Sequence, residues 1–506
     1  MKDACNSLWG QRAKHAPAPF ILTSLAGAIV LMAGLMAAYI PELAIRMALL
    51  ALLPIVFLAA MLNRGHTAVS LQFRIGWVTL LLAVFALWPS YLLIKVGGVP
   101  ALDLRRVAAG ISLLIGLYYL IAGKAVATSG STSGAGPIRV GYWLVATYAT
   151  WRFMTCTASS VPIASVIHVF WEVLYYYSFF FLGHLFFSTD ALRDRVHKVI
   201  LWLILIVAAY ACVERVLGAN PMVRWAPSNE EFETTVRAMN LSRLRDGAFR
   251  TQGTFEHPLL LSEFAAFSAC FSLAAVLWSR KTRNLRSLGT ASMIASVTAA
   301  YLSGSRSAFV ALGAGLMVVT ILRLVSPTGT TSASKAGMRK LVAIGLLALG
   351  AALATPAIMV LSQGKNTGEA ASTEARVVTL GIGLSALNSQ PILGWGPGNG
   401  PAIAGIKTGE GLATMDNYLL SIAIESGVPG ICLFIACLLY PAWAAFTLLA
   451  RGAEDRASFL GAVAGAAVAE LAMRSILWMP FNLSFVFLVA GIALAQCSVR
   501  DRILAK

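Results

Sequence analysis

Apolar runs of about twenty residues recur along the chain, each closed by a short cluster of Lys, Arg, Gly, Pro or Ser. A helix rises about 1.5 Å per residue, so a run of this length matches the roughly 30 Å hydrocarbon core of a bilayer. The pattern predicts helices at 19–38, 43–62, 76–96, 105–124, 139–157, 166–187, 197–217, 258–279, 288–304, 306–325, 339–361, 428–450, 457–475 and 480–499. The fold class that follows is all-α: a polytopic integral membrane protein with about 14 transmembrane helices and two larger outer loops. The chain divides into N-terminal transmembrane helices (1–217), an outer loop (218–257), central helices (258–362), a large outer loop with an amphipathic and a re-entrant helix (363–427), and C-terminal helices (428–506).

Charge placement tests this division. With the N-terminus inside, the inner segments carry Arg12, Lys14, Arg64, Arg74, Lys124, Arg139, Arg193, Arg195, Lys198, Arg280, Lys281, Arg283, Arg286, Arg323, Lys335, Arg339, Lys340, Arg451, Arg456, Arg500 and Arg502. The short outer loops hold mainly Lys95, Arg105 and Arg106. This is the asymmetry that orients membrane helices, and it places both termini in the cytoplasm. Two outer segments depart from it. The loop 218–257 contains Arg224, Arg237, Arg243, Arg245 and Arg250, and the loop from Gln363 to Met415 contains Lys365, Arg376 and Lys407. Long loops can carry such charge without fixing topology; an anionic ligand at the outer face is the other explanation.

Composition narrows the classes further. Of 506 residues 58% are hydrophobic and 12% charged, too little charge to cover a soluble protein of this size. The net charge of +17 is spread over membrane-flanking loops, so nucleic acid is not an expected partner. The seven Cys form no CxxC or Cys/His cluster, which gives no sign of a metal site or a disulfide framework, and no cofactor is expected. The first apolar run ends at Tyr39-Ile40-Pro41 without a small-residue cleavage pattern and reads as a first transmembrane helix, not a removed signal.

Candidate chemistry gathers on the outer side. Arg250 precedes TQGTFEHP, Arg306 sits in the polar break YLSGSRSAF, and Arg376 opens an amphipathic segment with apolar residues at Val377, Leu380, Leu384 and Leu387. Each alone can be an interfacial arginine reaching headgroups. Three converging on one cleft would suit a pyrophosphate, because guanidinium binds phosphate oxygens bidentately and stays charged in low dielectric. The stretch PILGWGPGNGP follows, and its Gly394 and Gly396 allow tight turns and close approach of backbone to a ligand. His257 is the histidine at the outer mouth.

The carboxylates stand in ATMDNYLLSIAIESGVPG, residues 413–430. Asp416 lies at its outer end. It could cap a helix beginning at Asn417, or face the cleft. Glu425 lies at membrane depth, where a charge is costly, and pairing with an arginine is its expected role. Glu172 and Glu263 are further buried carboxylates, while Glu470 and Arg474, four apart, are placed to satisfy each other.

Taken in order, RTQGTFEHP, SGSRSA, Arg376 with QPILGWGPGN, and DNYLLSIAIESGVPG resemble the O-antigen ligase and polymerase family. The resemblance spans Arg250 to Gly430 by motif and the rest by helix count. It implies a metal-independent glycosyltransferase of the bacterial inner membrane, with its active site at the periplasmic face and a glycan on undecaprenyl pyrophosphate as donor. Carried over, Arg250, Arg306 and Arg376 would bind the donor pyrophosphate, with Asn417, Glu425, His257, Gly394 and Gly396 in support. Asp416 occupies the place of a family histidine thought to activate the acceptor hydroxyl. A carboxylate can still accept that proton, but the exchange points away from ligation to lipid A-core and toward polymerisation of lipid-linked repeat units into O-antigen or exopolysaccharide. The acceptor would be a glycan or a lipid, and a chain-length regulator would be a further partner. The ligase is the alternative. A transporter or flippase is the third reading, since Glu172, Glu263 and Glu425 with a broken helix near Gly427 also suit a substrate path; no internal repeat supports it.

Overall fold

The computed structural model describes residues 71–89, 92–94, 102–121, 136–187, 189–225, 244–245, 248–279, 283–326, 342, 345, 367–407, 413–452 and 454–504. The helices predicted at 19–38 and 43–62, and all but two residues of that at 339–361, lie outside them.

The described residues are helical. They form α1 (Leu71–Leu87), α2 (Leu104–Ile121), α3 (Gly136–Thr155), α4 (Pro162–Glu172), α5 (Ser178–Phe187), α6 (Asp190–Leu217), α7 (Pro258–Trp278), α8 (Arg283–Leu302), α9 (Arg306–Val325), α10 (Thr367–Ser389), the short α11 (Gly400–Ala404), α12 (Tyr418–Ala450), α13 (Ala457–Arg474) and α14 (Leu483–Leu504). A π-helical turn, Val173–Tyr177, joins α4 to α5 without a break in the rod. Three antiparallel pairs of two-residue strands tie loops: Leu93–Ile94 with Leu102–Asp103, Leu244–Arg245 with Ala248–Phe249, and Ile406–Lys407 with Ala413–Thr414.

Among the described residues six helices are long and apolar enough to cross a membrane: Pro162–His184, Asp190–Leu217, Pro258–Trp278, Arg306–Val325, Tyr418–Ala450 and Ala457–Arg474. The chain is a membrane protein. Helix starts fall earlier than the apolar pattern suggests, at Pro162, Asp190 and Arg283 instead of 166, 197 and 288. At Asp190 and Arg283 the reason is that polar and charged residues extend the helix past its greasy segment.

The core is built where small residues let helices close up. Positions Gly315 on α9 and Gly465 on α13 face Cys270 of α7, and a methyl group added at Gly315 would stand 2.6 Å from the Cys270 sulfur and 2.9 Å from Ala469. Such small-residue crossings replace the hydrophobic driving force that lipid does not supply. The same contacts fix chain direction. Trp278 at the end of α7 meets Gly461 near the start of α13, and Asn482, beyond the end of α13, donates to Leu260 O near the start of α7 at 3.1 Å. Thr251 N–H donates to Leu302 O at 3.1 Å, bringing the approach to α7 beside the end of α8. One end of the bundle therefore collects the starts of α7, α9, α12 and α14 with the ends of α8 and α13.

Three local devices shape that end. His257 caps α7, its Nδ1 accepting from Leu259 N–H at 3.1 Å, with Pro258 at the first helical position where no N–H is needed. Gly304, at φ 60°, turns the chain between α8 and α9. Asn417 caps α12, its Oδ1 accepting from Leu420 N–H at 2.9 Å.

Candidate active site

Helix α12 is two helices end to end. Gly427 adopts φ 68°, ψ −175°, a region that only glycine occupies readily, and the rod breaks there. A break at membrane depth frees backbone groups that must find partners. The glycine-rich loop supplies them. Trp395 N–H donates to Ile424 O at 2.8 Å, Gly396 N–H to Glu425 O at 3.0 Å, and Val428 N–H to Pro391 O at 2.8 Å. Gly394 and Gly396 are the residues through which this loop closes on the break. Their backbones approach other backbone closely: a methyl group at Gly394 would meet Glu425 and Ser426 backbone at 2.6 Å, and one at Gly396 would meet Ser159 Cα at 2.8 Å. The loop is fastened on its other side too, where Ser165 Oγ donates to Pro397 O at 2.7 Å and Asn399 Nδ2 donates to Ser159 Oγ at 2.8 Å.

Beside the break lies a buried charge cluster. The Arg152 side chain, near the end of α3, is 0% exposed. Its Nε and Nη2 donate to Glu172 at 3.0 and 2.6 Å, and its Nη1 reaches Glu425 Oε2 at 2.9 Å and Ser426 Oγ at 2.6 Å. Glu172 also accepts from Tyr177 Oη at 3.2 Å, and His168 Nε2 stands 3.5 Å from its Oε1. The second oxygen of Glu425 accepts from Ser421 Oγ at 2.9 Å and from Gly400 N–H at 3.3 Å. Glu425 does pair with an arginine, as its depth suggested. The partner is Arg152, which sequence reasoning had not singled out. The signal that could have found it was an arginine deep inside the apolar run 139–157.

A second cluster holds Arg474, also 0% exposed. It pairs with Glu470 at 2.7 Å, as the four-residue spacing predicted, and in addition with Glu263 of α7. Asn482 Nδ2 donates to the other Glu263 oxygen at 2.7 Å, and the guanidinium sits 5.5 Å from the Tyr418 ring centre.

The three arginines read as donor ligands fall into two described groups. Arg250 packs on the α8–α9 turn, its Nε donating to Ser303 O at 3.0 Å and its side chain lying against Gly304, two residues before Arg306. Around it, residues 251–256 are buried, with Gln252 and Gly253 N–H on Glu214 and Glu256 on Arg105 at 3.1 Å. His257 is likewise used as a cap. Arg376 on α10 pairs instead with Asp416, Nη2 to Oδ2 at 3.4 Å, with side chains 38% and 48% exposed. Asp416 is not the cap of α12, because Asn417 takes that position and leaves the Asp416 carboxylate facing outward beside a guanidinium.

The comparisons bear on this same stretch. Residues 291–435, which run from α8 through the α10 loop to the broken helix, match the family model described as O-antigen ligase. This stretch is similar to the O-antigen ligase family. The match takes in Arg306, Arg376, Gly394, Gly396, Asp416, Asn417 and Glu425, and supports assignment to the O-antigen ligase and polymerase family. The match supports an O-antigen ligase- or polymerase-like function in general terms. No curated protein matches the chain.

Proposed function

We propose that the protein is a periplasmic-face glycosyltransferase that joins lipid-linked oligosaccharide repeat units into a longer O-antigen or exopolysaccharide. The observation carrying this reading is the Arg376–Asp416 pair: a cation and a carboxylate, both half-exposed, at the mouth of a helix whose cap is supplied by another residue. A donor on undecaprenyl pyrophosphate brings phosphate oxygens that compete with Asp416 for Arg376, with Arg250 and Arg306 as further cations at that end. A guanidinium on the leaving pyrophosphate stabilises the charge that builds there as the sugar departs. Asp416, released, accepts a hydrogen bond from a hydroxyl of the incoming sugar and holds that sugar at the mouth.

The test is glycan length in a strain lacking the chromosomal copy. Arg376→Ala, Arg306→Ala or Asp416→Asn should leave single repeat units on lipid, and unchanged ladders on a gel would refute the reading. One observation favours the ligase: the matching family model carries that description. A deletion strain that still makes long chains on the lipid carrier, but places none on lipid A-core, would decide for it.

A further inference from the structure

His168 belongs to the Arg152 cluster yet differs from every other member. Arg152, Glu172 and Glu425 have side chains between 0% and 5% exposed, whereas that of His168 is 45% exposed. The cluster holds one guanidinium against two carboxylates, and the imidazole is the group through which it meets the surface. Glu172 is fixed by two Arg152 nitrogens and by Tyr177, so it cannot follow the ring; it holds the Nε2 edge and leaves Nδ1 for another partner. A carboxylate that orients one imidazole nitrogen while the other is free is the arrangement that makes histidine an effective proton acceptor.

Position agrees. A methyl group at Gly398 would lie 3.4 Å from His168 Cγ, so the ring stands against the glycine-rich loop. Two residues on, Gly400 meets the Glu425 oxygen shared with Ser421, and Ser421 N–H donates to Asn417 O one turn along α12. Asp416 is the next residue. The other histidines of the described residues are committed elsewhere: His257 caps α7, His184 bonds Tyr142, and His197 bonds Phe271 O.

We infer that His168, oriented by Glu172, is the proton acceptor of the transfer, with Asp416 holding the acceptor sugar. This rests on the glycan-transfer reading above. In the step, the acceptor hydroxyl oxygen bonds to the anomeric carbon of the lipid-linked sugar. Its proton passes to His168 Nδ1, and the bond from anomeric carbon to pyrophosphate breaks with the electron pair leaving on the pyrophosphate oxygen. His168 then returns the proton to solvent. The charged groups facing the ring, Glu172 directly and Arg152 and Glu425 behind it, remain paired throughout.

The experiment uses membranes of a deletion strain expressing each full-length variant, with the endogenous lipid-linked glycan as substrate and chain extension followed against pH. A general base contributes roughly 10²- to 10⁴-fold. H168Q, which keeps a donor toward Glu172, should therefore slow extension about a hundredfold or more and remove the loss of rate seen on acidification, while D416N should slow extension and keep that acid limb. Should H168Q not fold, E172Q gives the same test, because withdrawing the orienting charge lowers the rate and moves the acid limb. A wild-type rate and pH profile in H168Q, or an unmoved acid limb in E172Q, overturns the inference. Were D416N and R376A also silent, the glycan-transfer reading itself would fall; were they impaired with H168Q intact, only the role of His168 would.

Discussion

Replacing Arg152 with Met removes the cation from a cluster that stays buried. The side chain keeps its apolar stem volume but loses two nitrogens on Glu172 at 3.0 and 2.6 Å, one on Glu425 at 2.9 Å, and a donor to Ser426 at 2.6 Å. Breaking a buried pair by deleting one partner costs about 3–5 kcal/mol, because the remaining charge is left without compensation. Here two carboxylates are left, so the loss should fall at the upper end, about 5 kcal/mol. The arithmetic reverses when the charges leave together: R152M/E172L/E425L removes every one of these ions, and replacement of a buried ion group by hydrophobic residues of similar volume is often neutral. Stability should therefore rank wild type and the triple variant together, with R152M well below. Buried Cys156, Cys270 and Cys437 provide the assay, since a thiol-reactive dye reaches them only when the bundle opens, once Cys5 and the exposed Cys212 and Cys432 are replaced. Heating the detergent-solubilised protein with the dye gives the midpoint. A midpoint for R152M within a degree of wild type, or a triple variant less stable than R152M, would refute the reasoning.

Other outcomes follow from the same geometry. Asp416→Asn and Arg376→Ala break an exposed pair at 3.4 Å, so the dye-monitored stability should change by only about 0.2–1 kcal/mol while chain extension slows. Gly427→Ala forces a side chain into φ 68°, ψ −175° and against the Ile392 carbonyl, which should cost about 1–3 kcal/mol or more and is read in the same dye assay. Asn417→Ala removes the cap on Leu420 N–H and should cost about 0.5–2 kcal/mol, while Asn417→Asp should retain most of it.

The helices were legible because lipid imposes a length on apolar runs, and nearly every described helix begins or ends within a few residues of its predicted span. Local sequence was informative where one residue type has few uses: Asp416 beside a capping Asn417, and Glu425 at membrane depth in need of a cation. What escaped were partners set by tertiary contact. Arg152 and Glu425 are 273 residues apart in sequence, and nothing local to either names the other. The glycines of PILGWGPGNG signalled close approach correctly, but periodicity could not say that the thing approached is the broken end of α12. Thr251 to Glu256 looked like a mouth because they are polar; they are buried because Glu214, Asn220, Ala86 and Arg105 meet their polar groups.

The two buried arginines bear on how the mouth can move. Tyr418, two residues past Asp416, lies under Arg474 at 5.5 Å and edge-on to Phe434 at 5.6 Å. Phe434 meets Tyr148 at 5.7 Å, Tyr148 meets Tyr177 at 5.4 Å, and Tyr177 donates to Glu172. The first half of α12 is thus held from one side by Arg474 and from the other by Arg152, through an unbroken line of packed rings. Buried ions contribute little net stability, so their service here is position. Helix α10 has a lighter hold, meeting α12 where Gly383 sits against Leu420. When phosphate competes for Arg376, the pair should open by displacement of the arginine, with Asp416 staying where its helix puts it. Arg376→Lys, which keeps the charge but loses the bidentate fork, should then raise the glycan concentration needed for half-maximal rate and leave turnover near wild type. Tyr418→Leu should do the reverse, lowering turnover through a shifted Asp416. Equal effects on both parameters in both variants would show that the two sides of the mouth move as one.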